Sequence, residues 1–348
     1  MSTWHLGVLC LSLCLTAQPQ PAATTVTLTA TDLPLTKAVA EIARQSGINV
    51  TTQPGDPDPK VSLELKNEPL WKAIDRLAEV ADARVTILPR DGRIILVKRQ
   101  ADQRKPIVST SGPFRFCVKR VTASWDLDTD TRTYSAAVEV AWEPWLQPLF
   151  LETIPQGVVA FDDKGRQHPV PDAGKGQAPV DGRMSLMIDV PLPALPRTTL
   201  ALAKLEGRLD VVTPSKMEQF DFPHIVKGAA LTRDSVTCKI TKVAWSEDRG
   251  TVQVTIENPP GGTILESYQP WDSNNTMTLL SKDGKTRFIA NSYVRESESS
   301  RRAVLSYHFT DRTKLARLKL EEWSLVYQTP ALVVTVPLTF SFQDVPLP

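Results

Sequence analysis

The sequence predicts a multidomain protein in which an α+β module is followed by two antiparallel β-sandwiches. Residues 24–100 contain a strand–helix pattern that occurs twice. After residue 112, short alternating stretches between Gly and Pro turns replace the helical periodicity. These stretches form two series with the same order, in residues 113–226 and 227–348, and such a repeat predicts tandem domains of similar fold.

Length and composition limit the class of protein. A chain of 348 residues is too long for one ordinary core and predicts two or three domains. The apolar fraction of 41% and the charged fraction of 23% are typical of a folded chain. Lys plus Arg number 40 against 39 Asp plus Glu, so no net field attracts nucleic acid or an anionic membrane. Nucleic-acid binding is therefore a poor starting hypothesis.

The first residues have the pattern of an export signal. Leu6–Leu15 is an apolar run about half as long as a membrane span, and a polar, Pro-rich stretch follows it. We expect a signal peptide in residues 1–23, with cleavage near Ala17 or a few residues later. Lipid attachment at Cys14 is the less favoured alternative, because the preceding Leu13 is bulky.

The segment 24–100 is a duplicated strand–helix unit. A shift of 35 residues places 26–50 on 61–85 without a gap, and each copy opens with the alternation of a half-buried strand. Pro34 and Pro69 then fit the first turn of a helix, where a missing N–H has no cost. Asp91-Gly92 predicts a hairpin between the last two strands. The expected module is βαβ-βαβ, with two helices on one face of a sheet.

Four segments of this unit, in order and spacing, have a recognisable pattern: Thr27–Leu35, Ala38–Val50, Val61–Leu70 and Ala73–Leu77. They resemble a known family, the STN domain, which is the short N-terminal module of secretins and TonB-dependent transducers. The likeness in pattern, order and spacing covers about 75 residues. Those proteins continue into large outer-membrane domains, whereas the segments that follow here are short. The resemblance therefore implies an envelope protein-interaction module rather than a pore or transporter, and a periplasmic or outer-membrane-associated location.

A polar linker is expected at 101–112, followed by β-sandwich 1 at 113–226 and β-sandwich 2 at 227–348. Strand number and spacing predict an Ig-like antiparallel architecture of roughly 115 residues for each. Landmarks recur in the same order: Cys117 and Trp125 with Cys238 and Trp245, Asp163–Gly165 with Lys282–Gly284, and Thr213-Pro214 with Thr329-Pro330. Because the two cysteines occupy equivalent places in different domains, we expect buried unpaired thiols.

Residues with the spacing of a catalytic or metal site are not found. His168, His224 and His308 have no metal-ligand spacing, and no Cys-x-x-Cys, Gly-x-Ser-x-Gly or phosphate-binding glycine pattern occurs. A Ser-His-Asp assembly from distant residues stays open. We therefore predict a non-enzymatic protein with no catalytic residue, no cofactor and no metal ligand.

Three aspartates, Asp126, Asp128 and Asp130, have the spacing that opens many calcium loops. Thr131 stands where an EF-hand requires Gly, and Ala137 stands where it requires Glu. We therefore expect a solvated loop, with a weak calcium site as the alternative.

The tryptophans allow two interpretations. Trp125, Trp245 and Trp323 lie in strand-like contexts, which predicts packing in the core. Trp142 and Trp145 flank a Glu-Pro pair at a strand end, where they form either an exposed recognition edge or, as we prefer, a cap on the sandwich.

The sequence thus predicts an exported protein-interaction protein whose STN-like module docks an envelope partner by sheet-edge or surface contact. The partner is expected among outer-membrane, secretion or transduction components. The alternative is a carbohydrate-binding or hydrolytic protein with its site in the sandwich loops.

Overall fold

The computed structural model describes residues 22–170, 174–193, 195, 199–233, 236–257, 275–299, 302–310 and 319–348. Most of the expected signal peptide lies outside this part of the chain. Strands predominate among the described residues, together with two α-helices. No described helix has both the length and the apolar character needed to cross a membrane.

The N-terminal module keeps the duplicated order of strand, helix and strand. β1 pairs antiparallel with β3, and β5 lies between β2, which is parallel to it, and β4, which is antiparallel. Asp32 and Asn67, which are 35 residues apart, both adopt positive φ angles, of 53° and 47°. Pro34 and Pro69 lie one residue before the helices. The elements are β1 (Thr25–Pro34), α1 (Leu35–Ser46), β2 (Asn49–Thr52), β3 (Lys60–Pro69), α2 (Leu70–Val80), β4 (Ala83–Leu88) and β5 (Arg93–Lys98).

The rest of the described chain forms three further sheets. The first has the order β13-β8-β7-β6, from β6 (Ile107–Ser111), β7 (Phe114–Asp126), β8 (Thr131–Trp142) and β13 (Ser185–Leu192). The second has the order β11-β10-β14-β22-β18-β19, with β9 and β12 beside it. Its strands are β9 (Phe150–Glu152), β10 (Gln156–Asp162), β11 (Gln167–Pro169), β12 (Gln177–Pro179), β14 (Ala201–Phe222), β18 (Thr276–Ser281), β19 (Arg287–Ile289) and β22 (Trp323–Pro346). The third has the order β15-β16-β17-β21-β20, from β15 (Ala230–Arg233), β16 (Val236–Trp245), β17 (Gly250–Glu257), β20 (Ser292–Ser299) and β21 (Arg302–Phe309).

Two long strands, β14 and β22, join both halves of this β-rich region. They pair antiparallel from Ala201 opposite Pro346 to Phe222 opposite Leu325. One core, which we name the first sandwich, contains β7, β8 and β13 together with the first half of β14 and the second half of β22. The other core, which we name the second sandwich, contains β16, β17 and β21 together with the second half of β14 and the first half of β22. Each core is therefore completed by a strand from the other repeat.

This exchange differs from the division expected from the sequence. The end of β22, placed by sequence in the range 227–348, lies in the core of the first sandwich. Within the expected linker, residues 107–111 form strand β6. The hydroxyls of Ser109 and Ser111 accept hydrogen bonds from the backbone N–H groups of Ser341 (3.0 Å) and Thr339 (3.4 Å). Strand β6 thus covers the edge of β22, which no local periodicity could reveal.

Local features of the sequence are confirmed in both sandwiches. The predicted turns join β10 to β11 and β18 to β19, with Gly165 and Gly284 at φ angles of 72° and 71°. Cys117 and Cys238 are buried and unpaired, as expected. Burial raises the pKa of the Cys238 thiol well above its usual range.

The β10–β11 turn is held by the buried carboxylate of Asp162, whose side chain is 1% exposed. It accepts hydrogen bonds from the N–H groups of Lys164 and Arg166 (both 2.9 Å), from Arg166 Nε (2.7 Å) and from His168 Nε2 (3.1 Å). Burial alone raises the pKa of Asp162, but these hydrogen bonds outweigh it and hold the pKa well below its usual range.

Asp162→Asn is expected to destabilise the protein in a pH-dependent way. Because the folded-state pKa is lowered, the carboxylate stabilises the fold above its unfolded pKa, about 3.9. That stabilisation is lost as pH falls through the folded pKa, so the gap between the wild-type and variant thermal midpoints narrows below about pH 4. Thermal unfolding of both proteins from pH 2 to 7 measures this gap, and Asp163→Asn, at the exposed neighbouring residue, is the control. A gap that stays constant with pH would contradict this assignment.

Candidate functional site

The N-terminal module is fixed to the first sandwich by a buried ion pair. Arg115 of β7 is 1% exposed and donates to Asp75 of α2 through Nε (3.0 Å) and Nη2 (2.8 Å). Burial disfavours the charged guanidinium, but the Asp75 carboxylate more than offsets this, so the pKa of Arg115 is raised. Beside the pair, Trp71 Nε1 donates to the carbonyl of Pro113 at 3.0 Å. The two units therefore present a defined common surface.

A second contact surrounds the fully buried Glu143. Its carboxylate accepts hydrogen bonds from the backbone N–H of Thr24 (3.0 Å) and from Trp145 Nε1 (2.7 Å). Trp142 is only 1% exposed, whereas Trp145 is 50% exposed. These two rings are not a pair of exposed platforms, and the carbohydrate-binding alternative gains no support from them.

A cleft of about 470 Å³ lies between the module and the first sandwich. Arg84 and Val85 of β4 line one wall, residues 117–121 of β7 line another, and the segment leading into β6 lies beside them. The lining contains six Lys or Arg side chains and, among the described residues, no Asp or Glu side chain. We name it the basic cleft. Its cations are Arg84, Arg99, Arg104, Lys105, Lys119 and Arg120.

Half of these cations are neutralised by acids outside the cleft. Arg99 pairs with Asp82, Lys105 with Glu79 at 3.0 Å, and Lys119 with Glu139 at 2.8 Å. The other three, all arginines, make no ion pair with any described residue: Arg84, Arg104 and Arg120. The basic cleft therefore carries three exposed arginine side chains whose charge no described acidic side chain neutralises.

The edge of β7 beside the basic cleft is open beyond residue 118. The ladder of β7 with β8 continues to Asp126 opposite Thr131, but its ladder with β6 ends at Val118 opposite Ile107. Residues 119–126 consequently have a strand partner on one side only within the described part of the chain. The side chains from Thr122 to Thr133 are exposed, so this hairpin projects beyond the sandwich.

At the hairpin tip, Trp125 is 50% exposed, and its predicted packing in the core is wrong. Its Nε1 donates to Asp130 at 2.9 Å, and the Arg132 guanidinium lies 4.5 Å from the ring centroid. The alternation of apolar and polar residues in this projecting hairpin is the same as in a strand covered on one face. The sequence pattern therefore could not distinguish the two. The equivalent Trp245 is partly buried and packs on Phe309, with ring centroids 5.7 Å apart.

The remaining candidates from the sequence do not converge. Asp126 accepts hydrogen bonds from the N–H groups of Asp128 and Thr129, so it closes the turn. His168 contacts Asp162, and His308 Nδ1 lies 3.1 Å from Thr251 Oγ1. Across the residues that the structure covers, no three His, Cys, Asp or Glu side chains are grouped as metal ligands.

Comparison of the chain with known protein families, with curated proteins and with solved structures found no match. The STN resemblance of residues 24–100 therefore stays a prediction from their sequence, and the candidate site is argued from its geometry.

Proposed function

We propose that this is an exported, non-enzymatic interaction protein of the bacterial envelope that binds an extended segment of a partner protein along the open edge of β7. The observation that carries this proposal is the one-sided ladder of residues 119–126. An edge strand offers a row of unpaired N–H and C=O groups that an incoming strand satisfies, and alternate side chains then supply specificity.

Open edges also occur in proteins that bind nothing there, and such edges are protected by charges, bulges or proline. Here the register shift at Lys119 and the charge of Arg120 protect the beginning of the free segment, and the charge of Asp126 protects its end. Val121–Ser124 contains neither a charge nor a proline. The sequence therefore leaves the middle of this edge available for pairing, which favours a binding role.

The resemblance of residues 24–100 to the STN domain supports an envelope partner, in the periplasm or at the outer membrane. The module also takes part in the candidate site, because Arg84 and Val85 line the basic cleft opposite β7. A partner strand on the β7 edge would therefore contact both the module and the first sandwich.

In-cell photo-cross-linking tests this proposal. A photoreactive residue replacing Thr122, on the free edge, is expected to give a discrete adduct with one envelope protein. The same residue replacing Thr133, on β8 of the same hairpin, serves as the matched control, because it is also exposed but lies across the ladder.

The amides of residues 119–126 should also exchange more slowly with solvent when the identified partner is bound. Equal adducts from both positions, or unchanged exchange in the complex, would contradict strand addition at β7.

A further inference from the structure

We infer that the partner segment is acidic and is held by the arginines of the basic cleft. This inference rests on the proposed function, since it names the chemistry of the strand that would pair with β7. It is carried by the coincidence of the open edge with an uncompensated positive charge, because Lys119–Val121 belong to both.

Charge complementarity identifies the occupant. The three unpaired cations come from three separate parts of the fold: β4, the segment before β6, and β7. All three are arginines, whose planar guanidinium group binds carboxylates through two parallel hydrogen bonds. Acidic side chains on a bound segment would neutralise this charge, whereas a basic or purely apolar segment would leave it unpaired. The residues concerned are Arg84, Arg104 and Arg120.

The open edge favours a peptide over a phosphate-rich polymer. A strand added beside β7 places every second side chain on the same face, about 6.6–6.8 Å apart. A segment that alternates acidic and apolar residues can therefore direct its carboxylates to one face while its backbone completes the ladder. The nearly equal numbers of basic and acidic residues, 40 and 39, also give no long-range attraction for polyanions.

The test is direct binding to the whole exported protein. The probe is a fluorescent eight-residue peptide that alternates Glu and Val with blocked ends, and its neutral control has Gln in place of Glu. We expect the Glu peptide to bind at least about tenfold more tightly at low salt, and added salt should reduce that preference. The triple variant Arg84→Gln, Arg104→Gln, Arg120→Gln should lose the preference. The exposed β15 residue variant Arg233→Gln should keep it.

The outcomes separate this inference from the proposed function. Equal affinity for the Glu and Gln peptides, together with a cross-link at Thr122, would overturn the acidic preference and leave strand addition standing. Absence of both peptide binding and the Thr122 adduct would overturn both. Tripolyphosphate that binds where the Glu peptide does not would assign the basic cleft to phosphates and overturn the inference. Thermal unfolding of each variant confirms that it is folded.

Discussion

Phe340→Ala is expected to destabilise the first sandwich by about 3–5 kcal/mol, although residue 340 lies near the end of the second repeat in the sequence. Phe340 is 2% exposed and packs on Phe116, with ring centroids 5.6 Å apart. Its ring also lies over Gly207, where an added Cβ would come within 2.5 Å of it. Truncation would leave a cavity between the two sheets of the first sandwich, since Phe116 belongs to the sheet opposite β22.

Native-state hydrogen exchange shows which core opens. In Phe340→Ala, amides of β8 should lose more protection than amides of β17. Phe309→Ala is the matched control, because Phe309 is fully buried in the second sandwich and should give the opposite pattern. Greater loss at β17 in Phe340→Ala would contradict the exchange of strands between the two cores. Equal loss at both strands in both variants would show that the cores unfold together, against the expected separation.

Local patterns predict much of this fold, since the duplicated order of strands and helices, the two turn glycines and the buried cysteines follow from repeats and turn residues in the sequence. The expectation of a single sheet in the module is wrong, because its strands form two sheets, β1-β3 and β2-β5-β4. The exchange between repeats does not follow, because strands usually have about five or six residues and proline usually ends them. Thr213-Pro214 and Thr329-Pro330 are landmarks of the repeat, but each lies inside a strand of more than 20 residues. Pro214 pairs with Val333 and Met217 with Pro330, so the prolines flank the register shifts at Lys216 in the β14–β22 ladder.

The candidate site was less accessible to sequence reasoning. Arg84, Arg104 and Arg120 are spread over a long stretch of chain, and only the packing of the module on the first sandwich brings them to one cleft. The open edge depends on the difference in length between β6 and β7, which are 5 and 13 residues long. The basic residues in the stretch Lys98–Lys105 are the local signal of this cleft in the sequence.

Asp75→Ala is expected to lower the free energy of unfolding by about 3 kcal/mol or more and to loosen the module from the first sandwich. Removing the carboxylate leaves the buried guanidinium of Arg115 without the acidic group that it hydrogen-bonds, which costs far more than the loss of an exposed pair. Arg115 Nη1 already lacks a hydrogen-bond partner among the described residues, so the loss of Asp75 would leave further donors of the same buried group unsatisfied. Urea unfolding followed by tryptophan fluorescence measures the effect, since Trp71 adjoins the pair.

Two further variants show whether the loss of stability in Asp75→Ala comes from the buried charge. Glu79→Ala, on the same helix, removes an exposed pair with Lys105 and should cost no more than about 1 kcal/mol. Replacing both partners, with Asp75→Leu and Arg115→Met, should restore most of the stability because no charge is then left buried. A cost for Asp75→Ala no greater than that for Glu79→Ala would show that the buried pair does not hold the units together.

Because the basic cleft has walls on both units, Asp75→Ala should weaken binding of the Glu peptide, and the double replacement should recover it.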